Sequence, residues 1–437
     1  MIREAKMADA RIELSARATM DWRQRMIGES FRFIHAGDFH LEKPLGDLDA
    51  LPPSLRETMA AAPHTAASAA LSAAAVDSVD FVILSGDLLH PQTAGPHSLS
   101  LLLDHFETLA TKKTPVFWVA GQTDDPARWP DAVPLPPNVH LFPKDRVESH
   151  SVTRSGRVIA TVCGRSSDGR SNLHVPSFSL DTEENFAIAC GYGNVSPDVL
   201  KDTQFDYWAL GGRLAPKTLL EDPLHAVYCG TPQGRSLADP GRHGYHVVDV
   251  DADRVTRPHL VESDLFRYES IDVESREISA VGGIRNAIGA AITRLQQESA
   301  GKHLIVAVDV KLEGGDAIKA LGDVDSLIDW ARSEFGHGNP SAWVTDIRVQ
   351  APKSLPSSWS DEDTILGDFL RAADRHRKGQ VEPVNLMAYT EESPALAAST
   401  ASLLGETADS TTEAVLGRAT LLGTHLLRGG KPHWKKG

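Results

Sequence analysis

The sequence predicts an α/β fold with two sheets, because short apolar runs alternate with helical stretches early in the chain and further apolar runs follow them. The first three runs cover residues 31–35, 81–84 and 116–120, and each ends in small or acidic residues, as is typical of buried strands. Helical stretches over residues 54–79 and 97–110 separate these runs. Strand–helix alternation of this kind predicts a mostly parallel sheet flanked by helices.

The apolar runs after Pro130 have a stronger β character and predict a second sheet. They cover residues 158–163, 186–190, 207–210, 225–228 and 245–249. Two sheets with helices on their outer faces form a sandwich. The main domain is therefore predicted to be a two-sheet sandwich flanked by helices.

Alternation of helices and strands begins again near residue 269 and predicts a small α/β cap domain. Its predicted elements are a helix over 282–297, a strand over 303–312, a helix over 324–335 and a strand over 343–349. Two helices over 361–377 and 413–427 follow, separated by a Ser/Thr/Glu-rich linker over 390–412. The predicted parts are thus an N-terminal arm over 1–29, the main domain over 30–268, the cap domain over 269–355, and C-terminal helices, linker and tail over 356–437.

The composition of the 437 residues limits the classes of function. A formal net charge of −15 disfavours a surface that attracts nucleic acid broadly, so contact with DNA is expected only through a complex. Three cysteines, Cys163, Cys190 and Cys229, form no CxxC pair, which argues against a disulfide framework or a zinc knuckle. Neither a long apolar run nor a signal-peptide core occurs, so we expect a cytoplasmic protein that does not span a membrane.

Acidic and histidine side chains follow the ends of the first three predicted strands. Gly37-Asp38-Phe39-His40 follows the first strand, Gly86-Asp87 the second and Gly121-Gln122-Thr123-Asp124 the third. Because the carboxyl ends of such strands meet at one edge of a sheet, these side chains are expected to converge. Two-metal phosphoester hydrolysis needs a carboxylate that bridges two cations, together with further Asp, Asn and His ligands. Asp38, His40 and Asp87 are therefore candidate metal ligands, although without the neighbouring sequence the favoured interpretation of Asp38 and His40 is a turn aspartate and a surface histidine.

Five motifs in a fixed order extend this observation. They are RFIHAGDFHL over residues 32–41, DFVILSGDLL over 80–89, PVFWVAG over 115–121, DYWALG over 206–211 and GTPQGR over 230–235. With these motifs the chain resembles the bacterial DNA-repair exonuclease branch of the calcineurin-like metallophosphoesterase superfamily, which is related to the nuclease subunit of the double-strand-break repair complex. The resemblance covers about residues 31–265. It implies metal-dependent phosphoesterase or nuclease chemistry, with Asp38, His40 and Asp87 as metal ligands.

Several positions depart from the pattern that the resemblance implies. Where the family has Gly-Asn-His-Asp, Gln122 replaces the ligand asparagine and Thr123 replaces the catalytic histidine. Tyr192 stands where a metal-binding histidine precedes Gly-Asn, and a phenol is a poor substitute for imidazole. Gly212-Arg213-Leu214 replaces a His-x-His that would give one ligand to each cation. The resemblance thus implies a degenerate pocket made of Thr123, Asp124, Tyr192, Gly212, Arg213 and Leu214.

The remaining donors are Asp38, His40 and Asp87, with Gln122 as a further candidate. We expect this set to hold either one weakly bound divalent cation (Mn, Fe or Zn) or none, so that two-metal catalysis is broken. Arg213 either forms an ion pair with Asp38 or Asp87 in place of a cation, or points to solvent. Another histidine could also replace a lost ligand; the candidates are His35, His90, His225 and His243.

Three functions remain open from the sequence. The one we expect is a catalytically weak or inactive protein that acts as a structural or regulatory subunit. For such a subunit, the resemblance implies a coiled-coil (SMC-like) ATPase partner that docks on the two C-terminal helices. It also implies that the chain can form a homodimer. The second function is an active phosphodiesterase or DNA nuclease with a reduced metal site, helped by Gln122, Asp124 or Tyr192. The third is a binding module for an unrelated ligand. The absence of G-x-S-x-G and G-x-x-x-x-G-K-[ST] motifs excludes serine hydrolases and P-loop NTPases.

Overall fold

The structure, a computed structural model, describes residues 28–46, 51–76, 78–180, 185–274, 278, 283–311, 324–350, 355–380 and 410–429. The chain divides after Tyr268 into two compact units. The predicted N-terminal arm up to residue 27, the linker over 390–409 and the tail over 430–437 lie outside the described residues. None of the described helices has the length and apolar character that crossing a membrane requires.

The first unit contains most of the strands. Its strands are β1 (Phe31–Ala36), β2 (Phe81–Ser85), β3 (Val116–Val119), β4 (Val139–Leu141), β5 (Glu148–Arg154), β6 (Arg157–Gly164), β7 (Phe186–Tyr192), β8 (Tyr207–Gly211), β9 (Lys217–Leu220), β10 (His225–Tyr228), β11 (Gly244–Val250) and β12 (Thr256–Glu262). Its helices are α1 (Pro53–Val76), α2 (Pro96–Thr111) and α3 (Pro197–Lys201). The strands form two six-stranded sheets, which confirms the predicted α/β class with two sheets.

The first sheet has the strand order β12-β11-β1-β2-β3-β4. β1, β2, β3 and β4 are parallel neighbours, with Phe33 beside Phe81 and Val82 beside Val116. β11 pairs antiparallel with β1. The prediction that residues 245–249 belong to the second sheet is therefore wrong: the strand returns to the edge of the first sheet, where the free side of β1 accepts it.

The second sheet has the strand order β5-β6-β7-β8-β10-β9. β6, β7, β8 and β10 run parallel to one another, so the carboxyl ends of β7 and β8 lie at the same edge. β5 and β9 close the two sides with antiparallel pairs.

Apolar side chains from both sheets meet in one core. The sheet residues that form it include Phe33, Ile83 and Val119 from the first sheet and Val162, Ile188, Ala209 and Val227 from the second. A second cluster covers the other face of the first sheet, where residues of α1 and α2 such as Leu71 and Phe106 pack on Val82 and Trp118. Both faces of the first sheet are thus buried, as a parallel sheet requires. This packing fixes the strand ends that carry the candidate site.

The second unit begins within β13 (Phe266–Glu274). Its further elements are α4 (Ile284–Glu298), β14 (His303–Lys311), α5 (Val324–Phe335), β15 (Ala342–Gln350), α6 (Ser357–Ser360), α7 (Ile365–Arg377) and α8 (Ser410–Leu427). β13, β14 and β15 form a three-stranded sheet in that order. α7 begins later than the predicted residue 361, because the Thr364 hydroxyl accepts a hydrogen bond from the Gly367 N–H (3.2 Å) and so caps the helix there.

Candidate metal centre

The candidate metal ligands lie where the carboxyl ends of strands from both sheets meet. β1 and β2 end shortly before Asp38 and Asp87, and β7 and β8 end at Tyr192 and Gly211. One ligand atom from each of Asp38, His40 and Asp87 lies within 4.8 Å of the others, and all three side chains are buried. The structure therefore brings these three candidate ligands into one site.

All three residues have a left-handed backbone, with φ of 51° at Asp38, 46° at His40 and 46° at Asp87. Such angles are uncommon outside glycine and cost about 1–3 kcal/mol each. Two main-chain hydrogen bonds hold these residues in place. The Asp38 N–H donates to the Gly86 carbonyl oxygen (2.7 Å), and the His40 N–H donates to the Asp87 carbonyl oxygen (2.9 Å). The two loops are thus joined along the site.

The loop that carries His40 is also held by Arg235, the last residue of the GTPQGR motif. The buried guanidinium donates from Nη1 to the Phe39 carbonyl oxygen (3.2 Å) and from Nη2 to the carbonyl oxygens of Lys43 and Pro44. A planar guanidinium can serve several acceptors at once. Arg235 therefore positions the loop and does not itself join the candidate ligands.

Asp38 receives main-chain hydrogen bonds from the second sheet. The Gly212 N–H donates to both carboxylate oxygens, at 2.9 and 3.2 Å. Burial, followed by the nearby charge of Asp87, raises the pKa of Asp38 well above its ordinary value. The N–H groups of Gly212 and Arg213 act in the opposite direction, because hydrogen bonds to a carboxylate favour its ionised form.

His40 is held as a neutral imidazole. Burial lowers its pKa to about 4, with Asp87 acting against this shift and Lys43 adding to it. The Lys43 ammonium lies 3.4 Å from His40 Nδ1, and an ammonium can only donate, so the neutral ring carries its proton on Nε2. Nε2 lies 4.0 Å from Asp87 Oδ2. Metal ligation through Nε2 therefore requires the other neutral tautomer, in which Nδ1 carries the proton and Lys43 turns away from it.

Both oxygens of Asp87 are already hydrogen bonded. Oδ1 accepts from the Thr123 N–H (2.7 Å) and from the Thr123 hydroxyl (2.9 Å). Oδ2 accepts from the Tyr192 hydroxyl in a short hydrogen bond. Burial, then the charge of Asp87, raises the pKa of Tyr192 above its ordinary value, so the phenol stays protonated and donating. These contacts of Thr123 and Tyr192 were not foreseen from the sequence.

The Asp124 carboxylate holds two loops together by accepting four hydrogen bonds. Oδ1 accepts from the N–H groups of Asp87 (3.1 Å) and Gly121 (2.6 Å), and Oδ2 accepts from the Leu88 N–H (3.1 Å) and the Trp118 indole N–H (3.0 Å). Burial, followed by Asp87, raises the pKa of Asp124 to about 7, against the effect of these donors. With four donors on its two oxygens, Asp124 joins the loops after β2 and β3. It is not one of the three clustered candidate ligands.

The other predicted pocket residues lie outside that group. The side chain of Gln122 is exposed, so the structure does not place it among the ligands. Leu214 contributes its carbonyl oxygen to a hydrogen bond from the Thr231 N–H (2.8 Å). The Arg213 guanidinium lies 4.9 Å from the centre of the Tyr228 ring, and Nη2 donates to Asn194 Oδ1 (3.4 Å).

The hypothesis of an ion pair between Arg213 and Asp38 or Asp87 is therefore wrong, since none of the ion pairs between described residues joins them. The Arg213 guanidinium stacks on Tyr228 instead, and the residue is exposed. The backbone N–H of Arg213 lowers the pKa of Asp38, against the effect of burial. The direction of a side chain after a strand end was not encoded in the pattern that predicted the strand.

None of the four histidines considered as replacement ligands belongs to the cluster. His35 is fully buried, with Nδ1 3.0 Å from the Tyr207 hydroxyl and Nε2 2.9 Å from Ser85 Oγ. His243 contacts carbonyl oxygens at both ring nitrogens. His90 and His225 each have a buried Nδ1 with no partner among the described atoms. The hypothesis of ligand replacement is wrong for this structure.

A buried polar chain under the site was missed by sequence analysis. Ser85 Oγ lies 2.9 Å from His35 Nε2 and 3.2 Å from Cys229 Sγ. Burial, followed by the charge of Asp38, raises the pKa of the Cys229 thiol, so the thiol stays protonated. The polar side chains facing inwards from apolar strands were the available signal. This chain ties the strands of the two sheets together directly below Asp38.

Comparison with known proteins agrees with this geometry. Residues 31–226 match the family described as calcineurin-like phosphoesterase. The Bacillus subtilis (strain 168) protein named uncharacterized metallophosphoesterase YhaO is 27% identical over 367 residues, which cover 78% of this chain and 87% of that protein. The part of the chain that carries Asp38, His40 and Asp87 is thus similar to calcineurin-like phosphoesterases.

Solved structures also match this chain, at low similarity. TT1561 of Thermus thermophilus is 12% identical with a TM-score of 0.30, over 53% of this chain and 98% of that chain. A dimetal phosphatase from Danio rerio is 10% identical with a TM-score of 0.32, over 53% of this chain and 98% of that chain.

The donors of the site fit one divalent cation. Asp38, His40 and Asp87 offer two carboxylates and an imidazole, which suit Mn²⁺, Fe²⁺ or Zn²⁺. A cation held there would polarise a phosphoryl oxygen or lower the pKa of a bound water. Among the described residues no second group of three such ligands is found, Gln122 is exposed, and Tyr192 offers a protonated phenol.

Proposed function

We propose that this chain is a metallophosphoesterase-family protein of the DNA-repair exonuclease branch that is catalytically weak or inactive and acts as a structural or regulatory subunit. The observation that carries the proposal is the state of Asp87. The carboxylate that would bridge two cations accepts hydrogen bonds on both oxygens, from Thr123 and Tyr192. A bridging role would require these hydrogen bonds to be exchanged for two metal bonds.

The missing acid supports the same conclusion. Phosphoester hydrolysis gains from a group that protonates the leaving oxygen, and imidazole has a suitable pKa for this. Thr123 occupies the position that the family resemblance gives to this histidine, and its hydroxyl is bound to Asp87 Oδ1. A threonine hydroxyl is far too weak an acid to take that part. The chain therefore lacks both a complete pair of metal sites and the proton donor.

A one-metal phosphodiesterase or DNA nuclease is the second candidate. It is favoured by the buried cluster of Asp38, His40 and Asp87, whose three residues keep left-handed backbone angles. Backbone strain of this kind persists where the surrounding structure enforces it and is concentrated at functional sites. In this case a single cation would provide Lewis acid chemistry without a bridging ligand.

The partners in this proposal follow the family resemblance. A coiled-coil ATPase would dock on the C-terminal helices α7 and α8, and the chain would reach DNA within that complex in the cytoplasm, as a monomer or a homodimer. Support comes from the net charge of −15, which disfavours independent binding to a phosphate backbone. It also comes from apolar residues that the helices expose, including Ile365 on α7 and Leu422 and Leu426 on α8.

The test combines metal content with turnover. The purified full chain is assayed with Mn²⁺ on a generic phosphodiester and on DNA, alongside Asp87→Asn and the control Asp198→Asn, which changes an exposed carboxylate on α3. We expect no turnover above the level of Asp87→Asn. Mn²⁺-dependent turnover that Asp87→Asn abolishes and Asp198→Asn retains would replace the non-catalytic proposal with the one-metal enzyme.

A further inference from the structure

The ring of Tyr192 fills the space beside the strand-end loops of the first sheet. A Cβ added to Gly121 would lie 2.6 Å from Tyr192 Cε2, and a Cβ added to Gly86 would overlap the same ring. Contacts this close are absent between real side chains, so the ring packs directly on the backbone of both glycines. Gly86 also has a φ of +89°, which favours glycine there. The loops after β2 and β3 thus form a packing surface for the Tyr192 ring.

The hydroxyl at the end of this ring points at Asp87. It donates to Oδ2, while Thr123 supplies two donors to Oδ1. Asp87 therefore has three donors in total, one of them on the side of β7. By the resemblance described above, that side carries a histidine ligand to the second cation. The Tyr192 hydroxyl thus places a hydrogen-bond donor next to Asp87, where the resemblance implies the second metal cation.

Charge makes such a donor necessary. Asp38, Asp87 and Asp124 are all buried. Among the described residues, no lysine or arginine forms an ion pair with any of these three carboxylates. Buried carboxylates without a positive partner need hydrogen-bond donors to remain in the site. The main chain provides them for Asp38 and Asp124. For Asp87, the Tyr192 hydroxyl supplies the donor on the side of the second sheet.

We propose that Tyr192 takes the place of the second cation and so limits the site to one divalent cation, held by Asp38, His40 and Asp87. The ring excludes an ion from the space next to Gly86 and Gly121, and the hydroxyl satisfies Asp87 Oδ2 instead. The first position keeps its three ligand atoms within 4.8 Å of one another, and the Tyr192 hydroxyl competes there only for Asp87 Oδ2, the oxygen that lies 4.0 Å from His40 Nε2. This inference rests on the proposed loss of two-metal chemistry and gives that loss a physical cause.

The experiment counts Mn²⁺ ions bound to the full chain, by calorimetric titration and by the electron paramagnetic resonance spectrum. Parent protein and Tyr192→Phe are expected to bind one ion with the six-line spectrum of isolated Mn²⁺. Tyr192→His, which exchanges the phenol for an imidazole, is expected to bind a second ion and to show spin coupling between the two. Tyr268→Phe is the control, because its hydroxyl donates instead to the Gly46 carbonyl oxygen (3.0 Å); it should bind one ion.

Affinity gives a second measurement that does not depend on Tyr192→His folding. Because the hydroxyl competes for Asp87 Oδ2, Tyr192→Phe should bind its single Mn²⁺ about tenfold more tightly than the parent, and Tyr268→Phe should not. Two ions or none in the parent protein would overturn the inference, as would a folded Tyr192→His with a single ion or an unchanged affinity in Tyr192→Phe. Turnover by a parent protein with one ion would instead contradict only the non-catalytic function.

Discussion

The Gly212 N–H donates to both carboxylate oxygens of Asp38, at 2.9 and 3.2 Å. A main-chain donor from the end of β8 thus contacts the candidate ligand of β1 and links the two sheets at the site. In the family pattern this position is a histidine, whose side chain would bind a cation. Here the connection between the sheets is made by the backbone and needs no ion. Several measurable properties follow from contacts of this kind.

Asp124→Asn is expected to destabilise the first unit by about 2–4 kcal/mol. An amide nitrogen cannot accept hydrogen bonds, so one pair of N–H donors, either Asp87 and Gly121 or Leu88 and Trp118, would lose its acceptor. The free energy of unfolding in urea measures the change. Asp125→Asn is the neighbouring control, because Asp125 forms an ion pair with Lys144 near the surface (3.0 Å) and should cost about 1 kcal/mol or less. Equal losses in both variants would contradict the structural role of Asp124.

Gly121→Ala is expected to destabilise the protein by about 1–3 kcal/mol. The added methyl group would lie 2.6 Å from Tyr192 Cε2 and would also collide with the Asp87 carboxylate. Gly95→Ala is the control, since a Cβ there meets no atom within 4 Å. Thermal unfolding compares the two variants. A Gly121→Ala protein as stable as Gly95→Ala would show that the ring does not pack on this glycine.

Arg235→Lys is expected to cost about 2–3 kcal/mol of stability. A lysine ammonium cannot reach the Phe39, Lys43 and Pro44 carbonyl oxygens together, whereas the guanidinium does. Because the same loop carries His40, the affinity for Mn²⁺ should fall as well. Arg257→Lys, which changes an exposed ion pair with Asp251 (2.9 Å), should leave both properties within error of the parent. Unchanged Mn²⁺ affinity in a destabilised Arg235→Lys would separate the loop from the metal site.

His246→Phe is expected to reduce the loss of stability in acid. Burial lowers the pKa of His246 from 6.5 to about 4. Between these values the unfolded chain binds a proton that the folded chain does not, so stability falls as the pH drops from 6.5 to about 4. The contribution of this residue amounts to about 3 kcal/mol at most. Urea unfolding at pH 8, 6.5, 5.5 and 4.5 measures it, with pH 8 as the reference at which the imidazole is neutral in both states. Parallel curves for parent and variant would contradict the buried neutral histidine.

The sequence predicts much of the fold and the centre of the site for physical reasons. Apolar runs followed by Gly-Asp place carboxylates at strand ends, and parallel strands bring Asp38 and Asp87 to one edge. The partner sheet of a strand is not fixed by its own periodicity, which is why β11 was placed in the wrong sheet. Side-chain direction after a strand end is also undetermined. The stacking of Arg213 on Tyr228 and the hydrogen bond from Tyr192 to Asp87 each join two residues that are distant in sequence.

The donors that surround Asp124 come from three backbone N–H groups and one indole. The loops that carry Asp87 and Asp124 are therefore joined through Asp124 by donors that do not come from positions 122, 192, 212 and 214. Side chains at those four positions can be exchanged one at a time while the four donors to Asp124 stay in place. The chain would then serve as a starting point for adding ligands for a second cation stepwise, with the contribution of each new side chain to cation binding measured separately.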